Sequence, residues 1–183
     1  ELTALYWMWK NCSKSDVVGL VHYRRYFFKN KYSTKWDNIL LEKDIEKIMK
    51  EYDIILPKKQ YIAKYNLQEQ WDRIHNKKDY ELCENIISEK YPEYLPALQT
   101  VFKKREFYAF NMFIAKREIM GKYCEWLFDI LFELESRIDI GHYDDYHKRI
   151  FGFLSERVFN VCLEYKNLKV KEVPVYNVHK KLI

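Results

Sequence analysis

The stretch FYAFNMFIAKREIMGKYCEWLFDILFELESRI, residues 107–138, changes its hydrophobic period part-way along. Phe107–Ala115 is a nearly continuous aromatic and apolar run, which predicts a strand. From Ile119 onward the apolar positions fall at helical spacing. Ile119, Tyr123, Trp126, Leu127, Ile130, Leu131 and Leu134 form one stripe of a long helix. A buried strand feeding a long amphipathic helix is the repeating unit of an α/β domain.

The rest of the chain continues that alternation. Val17–Val21 is a short β-branched run that predicts a central strand. Leu41–Tyr52 is a charged amphipathic helix with Ile45, Ile48 and Met49 inward, and YDIILP is a strand stopped by Pro57. Lys58–Asn76 reads as a long loop with a turn or two of helix. Asp79 is placed to cap a helix through Lys90, and Pro92 opens another that reaches about Lys104. Arg137–Tyr146 is a polar loop, Arg149–Tyr165 a second long helix, and LKVKEVPVY a closing strand. Leu2–Lys10 is apolar almost all round and predicts a helix buried on more than one face. The expected class is α/β, with an open, largely parallel sheet flanked by helices, in a single domain over residues 1–183.

Composition narrows the function classes. A chain of 183 residues that is 48% hydrophobic and 32% charged can bury a core and does not read as disordered. Four glycines and four prolines are too few for a turn-dense β-sandwich. A net charge of +5 permits attraction to phosphates, anionic lipids or acidic glycans. No lysine or arginine run is dense enough to predict a nucleic-acid partner. Cys12, Cys83, Cys124 and Cys162 lie far apart without zinc-ligand spacing, which predicts reduced thiols in a cytosolic protein. No apolar run reaches the ~18 residues of a membrane span, and the first residues do not read as a signal peptide. ELTALYWMWKN begins like the middle of a helix, so the expectation is of a chain that has lost an N-terminal segment.

Four constellations could carry chemistry. In an open α/β sheet, ligands sit beyond the carboxyl ends of strands, and His22, Tyr23, Arg24 and Arg25 follow the Val17–Val21 strand. An arginine fork can hold a phosphate and a tyrosine can stack on a base or sugar; a solvated basic edge is an equal alternative. Adjacent arginines on an extended chain point to opposite sides, so at most one reaches a given ligand directly. In EQWDRIH, residues 69–75, Trp71 and His75 share a helical face near Asp79 and suit a sugar or nucleoside; a surface turn is the plainer reading. Asn111, inside an apolar strand, either binds a ligand or locks a neighbouring loop. In YDDYHKRIFGFLSER, residues 143–157, Asp144, Asp145, His147, Arg149, Glu156 and Arg157 cluster around Gly152. A carboxylate there could act as a general base, and an interhelical ion pair is the favoured alternative. No phosphate loop, dinucleotide fingerprint, zinc-protease or serine-hydrolase motif is present.

Taken in order, ELTALYWMWKN, VVGLVHYRRYF, YDIILPKK, the His75/Asp79 pair, NMFI before YCEWLFDILFELE, and RIFGFLSER resemble one bacterial family across essentially the whole chain. It is a family of galactofuranosyltransferases with a GT-A-like fold, long catalogued as a domain of unknown function in capsule, exopolysaccharide and O-antigen loci. The resemblance implies a UDP-galactofuranose donor and a lipid-linked glycan acceptor. It also implies a cytoplasmic enzyme, peripheral to the inner face of the plasma membrane. It implies inversion at the anomeric carbon, by single displacement with one general base. Enzymes of this fold usually hold the diphosphate through a divalent metal such as Mg or Mn on a DxD motif. Here the matching strand ends in His22-Tyr23-Arg24-Arg25, without a DxD. The expectation here is that Arg24 or Arg25, with His22, supplies the phosphate-side charge, with or without a metal, and that Tyr23 also binds the donor. Glu156 is the expected base and Asp144 the reserve. Asn111 is expected on the donor, and Trp71, His75, Asp79, Arg149 and Arg157 on donor or acceptor. A non-catalytic glycan- or nucleotide-binding module is the alternative.

Overall fold

The computed structural model describes residues 2–32 and 36–177. In chain order its elements begin with helix α1 (Leu2–Asn11), strands β1 (Val17–Leu20) and β2 (Arg25–Phe27), helix α2 (Glu42–Met49), and strands β3 (Ile54–Pro57) and β4 (Gln60–Tyr61). Helices α3 (Leu67–Ile74), α4 (Lys77–Lys90) and α5 (Leu95–Lys103) follow, then strands β5 (Glu106–Phe107) and β6 (Phe113–Lys116). Helices α6 (Arg117–Arg137) and α7 (Ile150–Lys166) precede strands β7 (Val170–Val173) and β8 (Val175–Asn177).

The central sheet has the order β1-β6-β3-β7. Strand β6 runs antiparallel to both β1 and β3, and only β3 and β7 pair in parallel. The α/β class therefore stands, with helices around the sheet, but the sheet is mixed rather than largely parallel. The cause is β6, which enters the middle of the sheet in reverse, between strands drawn from the first third of the chain.

All four residues of β3 are buried, because it is an inner strand covered on both faces. Alternation splits its side chains between two cores. Ile54 and Leu56 join the larger one, with α4 to α7, and Ile55 joins Phe27, Leu40, Met49, Met112, Ile114 and Val173 in a smaller one. The α6 stripe is buried as its spacing predicts, apart from the half-buried Ile119.

Several elements differ from expectation. The Phe107–Ala115 run is two strands, broken at Tyr108–Met112 where Phe110 and Asn111 take φ of 79° and 50°. The closing strand is split at Pro174, which has no N–H for the ladder. Helix α1 buries one side against α6: Leu5 is buried while Trp7 is 62% exposed. Asn76, not Asp79, caps α4, accepting the Lys78 N–H at 3.1 Å. The Lys58–Asn76 stretch holds β4 and a full helix, α3, capped by the reciprocal Asn66 and Glu69 hydrogen bonds. No helix among the described residues is long and apolar enough to cross a membrane.

Candidate active site

The break between β5 and β6 organises the first half of the site. Asn160 on α7 accepts the Tyr108 N–H at 2.8 Å and donates to the Tyr108 carbonyl at 2.9 Å. One side-chain amide thus replaces a strand partner, and the chain leaves the ladder. One turn earlier on α7, Glu156 Oε1 accepts the Phe110 N–H at 3.0 Å. Asn111 Nδ2 donates to Ser155 Oγ at 3.0 Å, and that hydroxyl donates to the Gly152 carbonyl at 2.8 Å. These bonds hold two consecutive non-glycine residues in the left-handed region, a conformation that costs free energy and persists only where surroundings impose it.

The cationic turn after β1 docks on this kink. His22 Nε2 donates to the Phe110 carbonyl, and the Arg25 guanidinium lies 4.1 Å from the Phe110 ring centroid. Arg25 Nε also donates to Asn177 Oδ1 at 3.1 Å, its register partner on β8. Tyr23 is 78% exposed, with the exposed Arg24 guanidinium 4.7 Å from its ring centroid. The segment is a turn rather than an extended chain, closed by the Arg25 N–H on the His22 carbonyl at 3.0 Å. The two arginines part because Arg24 lies in the turn and Arg25 opens β2: Arg25 towards Phe110, Arg24 towards solvent.

Arg157 links this half to a second one. It is 7% exposed, and burial holds its guanidinium down to about 10 against the pull of neighbouring Glu156. Nη2 donates to Gln70 Oε1 at 2.9 Å, the guanidinium stacks over Phe107 at 4.1 Å, and Nη1 lies 3.6 Å from Glu156 Oε2. Beyond it, His75 packs between Trp71 and Phe153, with centroids at 4.4 and 4.6 Å, and lies parallel to Tyr146 at 6.0 Å. Burial, then the charges of Arg157 and His147, push the His75 imidazole down to about 4, so it is neutral near pH 7.

The 138–149 loop closes over this aromatic half. Tyr143 donates to Asp79 Oδ1 at 2.6 Å and accepts from Asn76 at 3.1 Å. His147 Nδ1 faces both Asp144 carboxylate oxygens at 2.9 Å, and Nε2 faces the Ile74 carbonyl at 3.1 Å. An open cleft lies here, lined by Arg73, His75, Tyr143, Asp144 and His147.

A sequence profile described as domain of unknown function (DUF4422) matches residues 1–167. The chain belongs to the DUF4422 family. Among solved structures, this DUF4422 chain is similar to the WbbM bifunctional glycosyltransferase in its apo form, with a TM-score of 0.90 and 32% identity over 98% of the chain. It spans 36% of the WbbM chain. No curated protein matches the sequence.

Of the residues expected to contact ligand in this DUF4422 domain, the kink joins His22, Arg25, Asn111 and Glu156, while Arg157, His75 and Asp144 line the flank beyond. Three take other roles. Trp71 is fully buried and donates its indole N–H to the Asn76 carbonyl at 3.1 Å, so it braces His75 rather than a ligand. Asp79 is 3% exposed and anchors Tyr143. Asn111 locks the loop onto Ser155 through Nδ2, the loop-locking one of its two sequence readings. Arg149 is exposed over Phe153 at 5.2 Å, and Asp144 is exposed and committed to His147.

Asn160, Ser155, Gln70 and Tyr143 were not foreseen. Only Asn160 carries a sequence signal, as an amide between Phe159 and Val161 inside an apolar helix. A divalent cation does not fit the end of β1, where one imidazole and two guanidiniums stand where oxygen ligands would be needed. Among the described residues no group of three His, Cys, Asp or Glu side chains could hold a metal ion.

Proposed function

We propose that this DUF4422 domain is an inverting glycosyltransferase. In this reading it moves galactofuranose from UDP-galactofuranose to a lipid-linked glycan, working peripherally at the cytoplasmic membrane face. The observation that carries the proposal is the convergence of His22, Arg25 and Glu156 on one kinked residue, Phe110, in a fold shared with part of a bifunctional glycosyltransferase.

Inverting transfer needs a base for the acceptor hydroxyl and charge for the departing diphosphate. Arg24 or Arg25, with His22, supplies the charge, and the exposed Tyr23 ring offers a stacking face for the donor. Glu156 takes the acceptor proton, with its carboxylate oriented by the Phe110 N–H and Arg157. Asp144 suits the role less well: hydrogen bonds from His147, backbone first, hold its carboxyl below the usual range and make it a weaker base. The neutral His75 edge, Tyr146 and Phe153 flank the acceptor side, where sugar rings pack on aromatic faces.

The test is UDP release on incubating the full chain with UDP-galactofuranose and a glycan acceptor, with and without EDTA. UDP-galactopyranose serves as the competing donor. Transfer from the furanose donor supports the reading. Binding of UDP without transfer to any acceptor points to a nucleotide-binding module instead.

A further inference from the structure

We infer that Asn160 is a positioning residue, setting the cationic turn and Glu156 in their working arrangement without touching substrate. The inference rests on the glycosyltransferase reading for its kinetic consequence, and on geometry alone for its structural one.

Asn160 is 7% exposed, and both polar atoms of its amide are engaged: Oδ1 accepts the Tyr108 N–H, and Nδ2 donates to the Tyr108 carbonyl and to the Glu156 carbonyl at 2.8 Å. A planar amide is the side chain that can offer a donor and an acceptor side by side, as a neighbouring strand would. At this point the Phe107–Ala115 run leaves its expected strand path. Freed from a strand partner, the next residues can turn left-handed, and Phe110 directs its N–H to Glu156 and its carbonyl to His22. The bond to the Glu156 carbonyl fixes the same amide to the backbone of the proposed base. One side chain therefore sets both the carboxylate and the imidazole on the two sides of Phe110. Arg25 follows, because its guanidinium rests on the Phe110 ring.

The experiment compares Asn160→Ala with Val158→Ala, a buried apolar truncation on the same helix. Asn160→Ala should speed amide exchange across residues 108–112 by roughly ten- to a hundredfold. It should also move the His22 imidazole resonance in histidine-labelled NMR spectra. Val158→Ala should lower the melting temperature without either change. With a donor turned over, kcat should fall at least about tenfold in Asn160→Ala while acceptor KM stays within about twofold. Asn160→Asp keeps the acceptor for the Tyr108 N–H and gives the same readouts where the alanine variant does not fold. Unmoved His22 and 108–112 signals in both Asn160 variants overturn the inference. So do equal shifts in Val158→Ala. If the wild-type chain transfers no sugar, the reaction assigned above fails, while exchange and NMR still decide the role of Asn160.

Discussion

Glu156 and Phe110 lie 46 positions apart, yet the carboxylate of one accepts the backbone N–H of the other at 3.0 Å. That bond makes the effect of substitution at 156 depend on what replaces the carboxylate. Glutamine keeps an oxygen for the N–H but cannot take a proton near neutral pH. Glu156→Gln should melt within a few degrees of wild type and lose sugar transfer by about a hundredfold or more. Glu156→Ala should also lose about 1–3 kcal/mol of stability, because the partly buried N–H loses its partner. Melting curves and UDP release separate the two. Full transfer by the glutamine variant would move the base elsewhere.

Arg25 joins three things: the Phe110 ring, the Asn177 side chain and, in the proposed reaction, the diphosphate. Lysine cannot reproduce a planar fork that stacks and donates at once. Arg25→Lys and Arg25→Ala should therefore both raise donor KM, by about tenfold or more. Arg24→Ala, at an exposed position over Tyr23, should act on the donor with little effect on melting. Intact donor binding and turnover in both alanine variants would rule out the phosphate-side role.

The two histidines of the aromatic half, 6.2 Å apart, titrate in opposite senses. Both ring nitrogens of His147 face acceptors, Asp144 and the Ile74 carbonyl, so the ring needs both protons to make both bonds. Its pKa is raised above 6.5, first by Asp144 and then by Ile74. The stability it contributes is fully present below pH 6.5 and is lost as pH rises through the raised value. Asp144, held below 3.8, sets the acid limit of the same contact. Melting temperature measured against pH should show the gap between wild type and His147→Gln closing on the alkaline side. A gap that widens there would contradict the assignment.

His75 gives the reverse slope. The unfolded chain protonates it near 6.5, while the folded one resists to about 4. Falling pH across that interval therefore favours unfolding. His75→Phe should flatten the acid side of the profile, and parallel profiles would remove this imidazole from the explanation.

Gly19 on β1 faces β6 so closely that an added Cβ would lie 3.0 Å from Ile114 Cγ1 and 3.1 Å from the Phe113 carbonyl. The second contact is with backbone and cannot swing aside. Gly19→Val should cost about 1–3 kcal/mol, a drop of several degrees in melting temperature. An unchanged midpoint would mean that β1 and β6 can separate without loss.

What the sequence discloses depends on how local the cause is. The α6 stripe and the buried Ile54–Pro57 run are written in neighbouring residues, so their period and apolarity are readable. The break at Phe110–Asn111 is not, because the apolar run there looks like uninterrupted strand. What bends it are the side chains of Ser155, Glu156 and Asn160, far along the chain. The same holds for strand direction: nothing near Phe113–Lys116 says that it will enter the sheet in reverse. Trp71 and His75 are adjacent as their spacing requires, but the depth of Trp71 comes from helices that spacing does not mention.

The sheet order also governs the timing of assembly on the ribosome. Ile54–Pro57 is wholly apolar, and both of its neighbours are made later, β6 from residue 113 and β7 from residue 170. A nascent chain that has emerged only as far as Tyr108 carries this segment with both edges bare, the state that invites aggregation. The most protected strand of the finished molecule is thus the most vulnerable during synthesis, and the one a chaperone would have most reason to hold.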